Sequence, residues 1–122
     1  MDKEAICAIA TPAGSSALGI IRVSGKDLSH LIKKTFSKLF ENKKATLVNI
    51  YDKENILDKS IVIYYKGPKS YTGEDMIEII CHGNHIVMNS IVNLLIKNGA
   101  RNARPGEFSE RAFFNNKINL TQ

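Results

Sequence analysis

Residues 67–80, GPKSYTGEDMIEII, join a turn to an apolar strand in which one carboxylate stands among isoleucines. Two glycines and a proline are typical of a turn, and the apolar run that follows is typical of a buried strand. Removing an ionised carboxylate from water without a partner costs several kcal/mol. Glu78 therefore requires either a cation from elsewhere in the chain or a ligand that offers hydrogen-bond donors.

The composition is that of a single folded domain. The chain has 122 residues, of which 43% are hydrophobic, enough for a core of its own. No apolar run approaches the roughly 18 residues of a membrane span, and the acidic start is unlike a signal peptide, so we expect no membrane contact and a cytoplasmic location. Cys7 and Cys81 lie in apolar patterns and are expected to be buried and reduced, and no metal-ligand spacing occurs, so no metal site is predicted.

The hydrophobic periodicity predicts an α/β (α+β) domain with a mixed β-sheet and about three helices. Ser24 and Asp27 have the spacing of a capping box, so a helix is expected to start there, with an apolar face that extends to Leu39. A second helix should end before Gly99. Strands are predicted at 5–10, 18–23, 46–51, 61–65 and 76–81, with an antiparallel hairpin over 46–65, and the other helices at 84–98 and, as a short helix, through 108–113.

The end of the sequence predicts a domain boundary. Asn119 is followed three positions later by Gln122, a spacing typical of a helix start. We therefore predict one domain over residues 1–118, with residues 119–122 beginning a following helical domain of a longer protein.

Two catalytic patterns are incomplete. Gly14 and Gly19 have the glycine spacing of a phosphate-binding loop, but Ile20 and Ile21 stand where Lys and Ser or Thr are needed. We expect a turn that leads into a strand there, and no GTP binding by this segment. Ser109 with His82 and Glu110 has the residue types of a hydrolytic triad, but Ser109 lacks the sequence of a nucleophile elbow, so no catalytic residue is predicted.

The net charge of +5 comes largely from lysines. Six of the lysines lie close together in residues 26–44. Such a cluster is typical of a solvated helix face, and it is also the kind of surface that contacts the phosphates of nucleic acid. Both interpretations stay open. The lysines concentrated in one segment are Lys26, Lys33, Lys34, Lys38, Lys43 and Lys44.

Arg22 is a second charged residue inside a predicted strand. Arg22 and Glu78 either neutralise each other as a structural ion pair or face a cleft and share a polar ligand. A guanidinium suits a carbonyl or carboxylate, whereas a carboxylate suits a flat ring edge with adjacent N–H donors, such as an aminopyrimidinone. Lys117, among asparagines, is by itself typical of a solvated loop.

Several blocks of the sequence, in order, resemble the N-terminal domain of the tRNA modification GTPase family called MnmE or TrmE. The resemblance extends over essentially the whole chain. It implies a fold similar to the tetrahydrofolate-binding domain of aminomethyltransferases. The blocks are residues 10–12 (ATP), 19–25 (GIIRVSG), 67–75 with Glu78, 81–83 (CHG) and 103–113 (ARPGEFSERAF).

The resemblance also implies a function. Family members form homodimers, bind a tetrahydrofolate derivative (5-formyl or 5,10-methylene), and act with a flavoprotein of the MnmG (GidA) type to modify carbon 5 of the wobble uridine of tRNA. GTP, potassium and magnesium would bind a GTPase domain that lies beyond residue 122. The full-length protein is therefore expected to be a GTP-hydrolysing enzyme, and this segment alone is not expected to be catalytic.

The folate-contacting residues of the family fall on three positions of this sequence. The arginine falls on Arg22, the glutamate on Glu78 and the lysine on Lys117. The resemblance therefore favours a shared ligand over a structural ion pair. Two alternatives stay open: a dimerisation and tRNA-docking module in which Arg22 and Glu78 are only an ion pair, and a self-sufficient one-carbon transferase like the aminomethyltransferases.

Overall fold

A computed structural model describes residues 4–11 and 17–120, the last four of these by their backbone alone. This part of the chain forms one six-stranded sheet and three helices, so the predicted α+β class is confirmed. The elements in chain order are β1 (Ile6–Ile9), β2 (Leu18–Gly25), α1 (Ser29–Phe36), β3 (Ala45–Asp52), β4 (Asn55–Tyr65), β5 (Asp75–His82), α2 (His85–Lys97), β6 (Arg101–Asn102) and α3 (Glu107–Leu120).

The sheet is mixed, as predicted. Its strand order is β3-β4-β5-β2-β1-β6; β1 and β6 are parallel, and all other neighbours are antiparallel. The pairing of β3 with β4 is the predicted hairpin, although β4 begins earlier than residue 61. In the central β2–β5 pair, Arg22 lies directly opposite Glu78. The register therefore brings together two charges that are far apart in sequence.

The two faces of the sheet are packed differently. Helices α1 and α2 cover one face, where a buried cluster forms the core. Because side chains alternate along a strand, Arg22 and Glu78 lie on the opposite face from their buried neighbours. The completely buried members of the core are Ile21, Val23, Leu28, Ile50, Val62, Ile77, Ile79, Ile91 and Leu95.

The predicted capping box at the start of α1 is wrong. The helix begins at Ser29, and Ser24 lies inside β2, where its hydroxyl donates to Oε1 of Glu74 at 3.0 Å. Asp27 instead accepts a hydrogen bond from the backbone N–H of Ser29 at 2.9 Å. The side chain of Ser24, which the local spacing assigned to the helix cap, thus forms a hydrogen bond with a residue 50 positions away.

The far end of α1 also differs from the prediction. The helix ends at Phe36 because Ser37 adopts a left-handed conformation with φ of 61° and donates its N–H to the carbonyl of Lys33. Leu39 therefore lies outside the helix and is 57% exposed. Its place on a buried helical face is a wrong prediction.

Helix α2 agrees with its prediction. Asn84 is the N-cap, and its side-chain oxygen accepts hydrogen bonds from the backbone N–H groups of Ile86 and Val87. The helix ends at Lys97, and Gly99 follows with φ of 123°. Within the described residues, the helices are too short or too polar to span a bilayer.

Helix α3 is longer than the short helix predicted. It runs from Glu107 to Leu120, so the backbone is already helical at Asn119 and a helix start there is wrong. The domain boundary after residue 118 stays a prediction. Parts of two predictions lie outside the described residues. They are residues 14–16, in the turn expected before β2, and Gln122, in the helix start expected at Asn119.

The two cysteines are free and buried, as predicted. Burial raises the pKa of each thiol, Cys7 and Cys81, to about 11. Both are therefore protonated at neutral pH and serve as packing residues.

Candidate ligand-binding cavity

Arg22 and Glu78 form an ion pair across the central strands. Nε of Arg22 donates to Oε2 of Glu78 at 2.8 Å, and the hydroxyl of Tyr65 donates to Oε1 at 3.1 Å. The side chains of Arg22 and Glu78 are 44% and 20% exposed. Of the two ways to compensate Glu78 that the sequence left open, the structure contains the cation.

The ion pair is not sealed inside the core. It lines a cavity of about 420 Å³ together with Tyr65, Tyr71 and Met76. Pockets for small ligands are typically about 300 to 1,000 Å³, mostly apolar with a few placed polar groups. The pair and the cleft therefore occur together, so the ion pair by itself does not decide between a structural and a binding role.

The ion pair retains hydrogen-bonding capacity toward the cavity. Among the described residues, Arg22 uses only Nε, so both Nη groups keep their donors. Each oxygen of Glu78 accepts one hydrogen bond and has a second lone pair. Burial, and then the adjacent Glu78 carboxylate, raise the pKa of Tyr65, which keeps this phenol a donor at neutral pH. The site can thus accept from two neighbouring N–H groups and donate to an oxygen.

The apolar part of the cavity was missed by the sequence reasoning. Tyr65, Tyr71 and Met76 supply aromatic and thioether surfaces that suit a flat ring. Tyr71 is 60% exposed and comes from the turn between β4 and β5. An aromatic residue inside a glycine-rich turn beside a charged strand was the available signal.

Lys117, the third predicted site residue, lies in α3 two residues after Asn115. The side-chain amide of Asn115 donates to the backbone carbonyl of Thr72, so this helix contacts the turn that carries Tyr71. The side chain of Lys117 lies outside the described residues, and its contact with a ligand stays a prediction.

The segment of residues 67–75 is named here the cavity turn. Hydrogen bonds on one side and close packing on the other hold it in place. Asp75 accepts from the backbone N–H of Gly67 at 3.0 Å and from that of Leu28 at 3.2 Å. On the other side, Gly73 has φ of 78°, and a Cβ added to it would lie 2.6 Å from Cβ of Asn115. The close packing of α3 on the cavity turn therefore requires glycine at this position.

A buried ionic cluster under the cavity turn was also missed. Arg111 donates to Glu74 at 2.9 Å and to Glu107 at 3.4 Å, and all three side chains are at most 8% exposed. Arg101 donates to both oxygens of Glu107, which with Arg104 holds the pKa of that carboxyl well below its usual range. The four-residue spacing of Glu107 and Arg111 was a usable signal, but their link to Glu74 was not visible in sequence.

His82 and Ser109 do not form a hydrolytic arrangement. Nδ1 of His82 lies 2.7 Å from a carboxylate oxygen of Asp58, at the end of β5, whereas the hydroxyl of Ser109 lies 3.3 Å from that of Tyr71. In the described part of the chain, no three His, Cys, Asp or Glu side chains are grouped to hold a metal ion.

Comparison with known proteins identifies the family. The family model described as GTP-binding protein TrmE N-terminus matches residues 5–117. The protein named tRNA modification GTPase MnmE from Francisella tularensis subsp. novicida is 48% identical over 120 residues, covering 98% of this chain and 27% of the relative. The protein of the same name from Francisella philomiragia subsp. philomiragia is 47% identical, with the same coverage. The chain thus spans about a quarter of the length of these curated relatives, and it belongs to the TrmE N-terminal family.

Proposed function

We propose that this domain binds the pterin end of a reduced folate in the cavity beside Arg22 and Glu78, as part of a tRNA modification GTPase. The observation that carries the proposal is an ion pair that lines an open cavity of about 420 Å³ and still has unused donors and acceptors. A purely structural pair has no need of such a cavity beside it.

The chemistry of the cavity matches that ligand class. The free lone pairs of Glu78 suit the adjacent N–H donors of an aminopyrimidinone edge, while the Nη groups of Arg22 suit a ligand carbonyl or carboxylate. The rings of Tyr65 and Tyr71 provide surfaces for the flat heterocycle. Lys117 is proposed as a second cation for the anionic end of the folate.

The wider activity is proposed from the family. We propose that the bound folate is a 5-formyl or 5,10-methylene derivative that supplies a one-carbon unit for modification of carbon 5 of the tRNA wobble uridine. The partner would be an MnmG-type flavoprotein in the cytoplasm. GTP, magnesium and potassium are assigned to the part of the protein that the relatives have in addition to this domain.

A homodimer is part of the same proposal. Exposed apolar side chains lie on the same face of the sheet as Arg22 and Glu78. The strand registers place them there, since alternate residues along a strand point to the same face. Leu18, Leu47 and Ile61 on this face are 58%, 60% and 37% exposed. A second copy placed over this face would remove them from water.

A second candidate function is a dimerisation and tRNA-docking module in which the ion pair is only structural. The closed distance of 2.8 Å between Arg22 and Glu78 favours this alternative, as does the exposure of every lysine in the 26–44 segment. It predicts tRNA binding that weakens steeply with added salt. Filter binding across a salt series tests it, and binding that does not respond to salt removes it.

Calorimetric titration of the 122-residue chain with 5-formyltetrahydrofolate tests the main proposal. Glu78→Gln and Arg22→Gln should each lower the affinity about tenfold or more, since a hydrogen bond to a charged group contributes about 1.5 to 3 kcal/mol. Glu41→Gln, which changes a carboxylate outside the cavity, is the control and should bind like the parent. Lys117→Ala should weaken binding, whereas Lys97→Ala should not. Equal affinity in all variants removes the proposed site.

A further inference from the structure

Tyr71 differs from the other residues that line the cavity. Tyr65, Met76 and Glu78 belong to strands, whereas Tyr71 belongs to the cavity turn. Its hydroxyl contacts only Ser109 of α3 among the described residues, at 3.3 Å. The position of this aromatic wall therefore depends on what holds the turn against the sheet.

Two residues that follow Tyr71, Thr72 and Glu74, are hydrogen-bonded to Ser24 of β2. The hydroxyls of Ser24 and Thr72 are 2.7 Å apart, and Ser24 also donates to Glu74 at 3.0 Å. All three residues are buried. The turn is thus joined to the strand that carries Arg22, two residues from the ion pair.

Arg111 closes this connection from the other side. Its Nη1 donates to the same oxygen of Glu74 that accepts from Ser24, and its Nη2 donates to Glu107. Glu107 is itself held by Arg101 at 2.6 Å. Arg111 therefore bridges two carboxylates, that of Glu107 in its own helix, α3, and that of Glu74 in the cavity turn.

Stability alone is a poor reason for this arrangement. Taking a guanidinium and two carboxylates out of water carries a large desolvation penalty, and well-packed apolar residues often replace such groups without loss of stability. Arg111 is fully buried, and its Nε has no partner among the described residues, so the arrangement is not optimal even as an ionic network. What it does supply is direction, because a planar guanidinium fixes the relative positions of the two carboxylates that it joins.

We propose that Arg111 is a positioning residue which, through Glu74, holds Tyr71 in place as the outer wall of the ligand cavity. The proposal rests on the proposed function of the cavity for its ligand, and on the contacts of the cavity turn for its geometry. Arg111 does not line the cavity and is not proposed to contact the ligand. Its effect on binding passes through the orientation of the turn.

The test uses a fluorescent reporter and a matched pair of arginine variants. The chain has no tryptophan, so Tyr71→Trp introduces a single reporter in the cavity wall. Arg111→Lys keeps the positive charge but loses the fork that spans two carboxylates. Arg104→Lys makes the same change at an arginine that contacts Glu107 and Glu110 but not the cavity turn.

Arg111→Lys should increase acrylamide quenching and lower the anisotropy of Trp at position 71, while Arg104→Lys should leave both unchanged. In the tyrosine background, Arg111→Lys should lower the affinity for 5-formyltetrahydrofolate roughly tenfold, as expected when contacting residues are coupled. Melting temperatures of both variants are also recorded. A merely structural role would lower the melting temperature, but at temperatures where the variant is folded it would change neither the fluorescence of the reporter nor the affinity.

The outcomes separate this proposal from the proposed function. If the parent binds the folate and Arg111→Lys matches it in affinity and quenching, the positioning role is wrong and the cavity stands. If the parent does not bind the folate, the ligand class is wrong, and unchanged quenching in Arg111→Lys then overturns the positioning role as well. If Arg111→Lys does not fold, Glu74→Gln weakens the same link with less change of shape and is judged by the same readouts.

Discussion

Arg22 and Glu78 face each other across β2 and β5, with 2.8 Å between Nε and Oε2, and both line the same cavity. The cross-strand register makes the pair, and the alternation of side chains places it on the face that α1 and α2 do not cover. The two charges therefore meet where a ligand can reach them.

A double-mutant cycle separates the structural and binding roles of the pair. Because the Arg22 side chain is 44% exposed, the coupling between Arg22→Gln and Glu78→Gln in the free energy of unfolding should be below about 1 kcal/mol. Urea unfolding of the parent, both single variants and the double variant measures it. A coupling of several kcal/mol would indicate that the pair exists for stability.

The face covered by helices should respond to truncation far more than the face that carries the cavity. Ile79 is completely buried, so Ile79→Ala should lower the free energy of unfolding by about 2 to 5 kcal/mol. Ile61 is 37% exposed on the other face, and Ile61→Ala should have a clearly smaller effect. Chemical denaturation compares the two, and similar losses would contradict the described packing.

Gly73→Ala should be more harmful than the same change at Gly99. Both glycines have positive φ, so both variants strain the backbone, by roughly 1 kcal/mol. Only at Gly73 would the new Cβ meet another residue, Asn115, at 2.6 Å, whereas nothing lies within 4 Å at Gly99. Thermal unfolding of the two variants checks the difference. Equal destabilisation would argue against the close packing of α3 on the cavity turn.

Glu107 should contribute to loss of stability in acid. Its pKa is lowered in the folded state, first by hydrogen bonds from Arg101, so the folded protein binds this proton less readily than the unfolded chain. The stabilisation is present above the ordinary glutamate value of 4.5 and is lost as the pH falls below it toward the lowered pKa. Urea unfolding between neutral and acid pH should show a shallower decline for Glu107→Gln than for the parent. Parallel declines would contradict this assignment.

Much of the fold was predictable because the signals are local. The apolar run of α2, its end before Gly99 and the β3–β4 hairpin depend on near neighbours in sequence, and these predictions were confirmed. The start of α1 was not predictable in this way. Ser24 forms its hydrogen bonds with Thr72 and Glu74, and no local pattern reveals a partner about fifty residues away.

The candidate site was predictable to a similar extent. Charges inside apolar strands are unusual, so Arg22 and Glu78 could be selected from sequence, and their register then places them together. Tyr71 and Arg111 were missed: each has a local signal in the sequence, but their roles depend on how the cavity turn and α3 pack on the sheet. Tertiary contacts of irregular segments are what sequence periodicity does not encode.

A crystal structure of this chain grown with 5-formyltetrahydrofolate would show whether the cavity beside Arg22 and Glu78 binds the folate. We expect the heterocycle between Tyr65 and Tyr71, with its adjacent N–H groups within hydrogen-bond distance of the Glu78 carboxylate. If the ligand is bound elsewhere and the space beside Arg22 and Glu78 is unchanged, the proposed folate site is wrong.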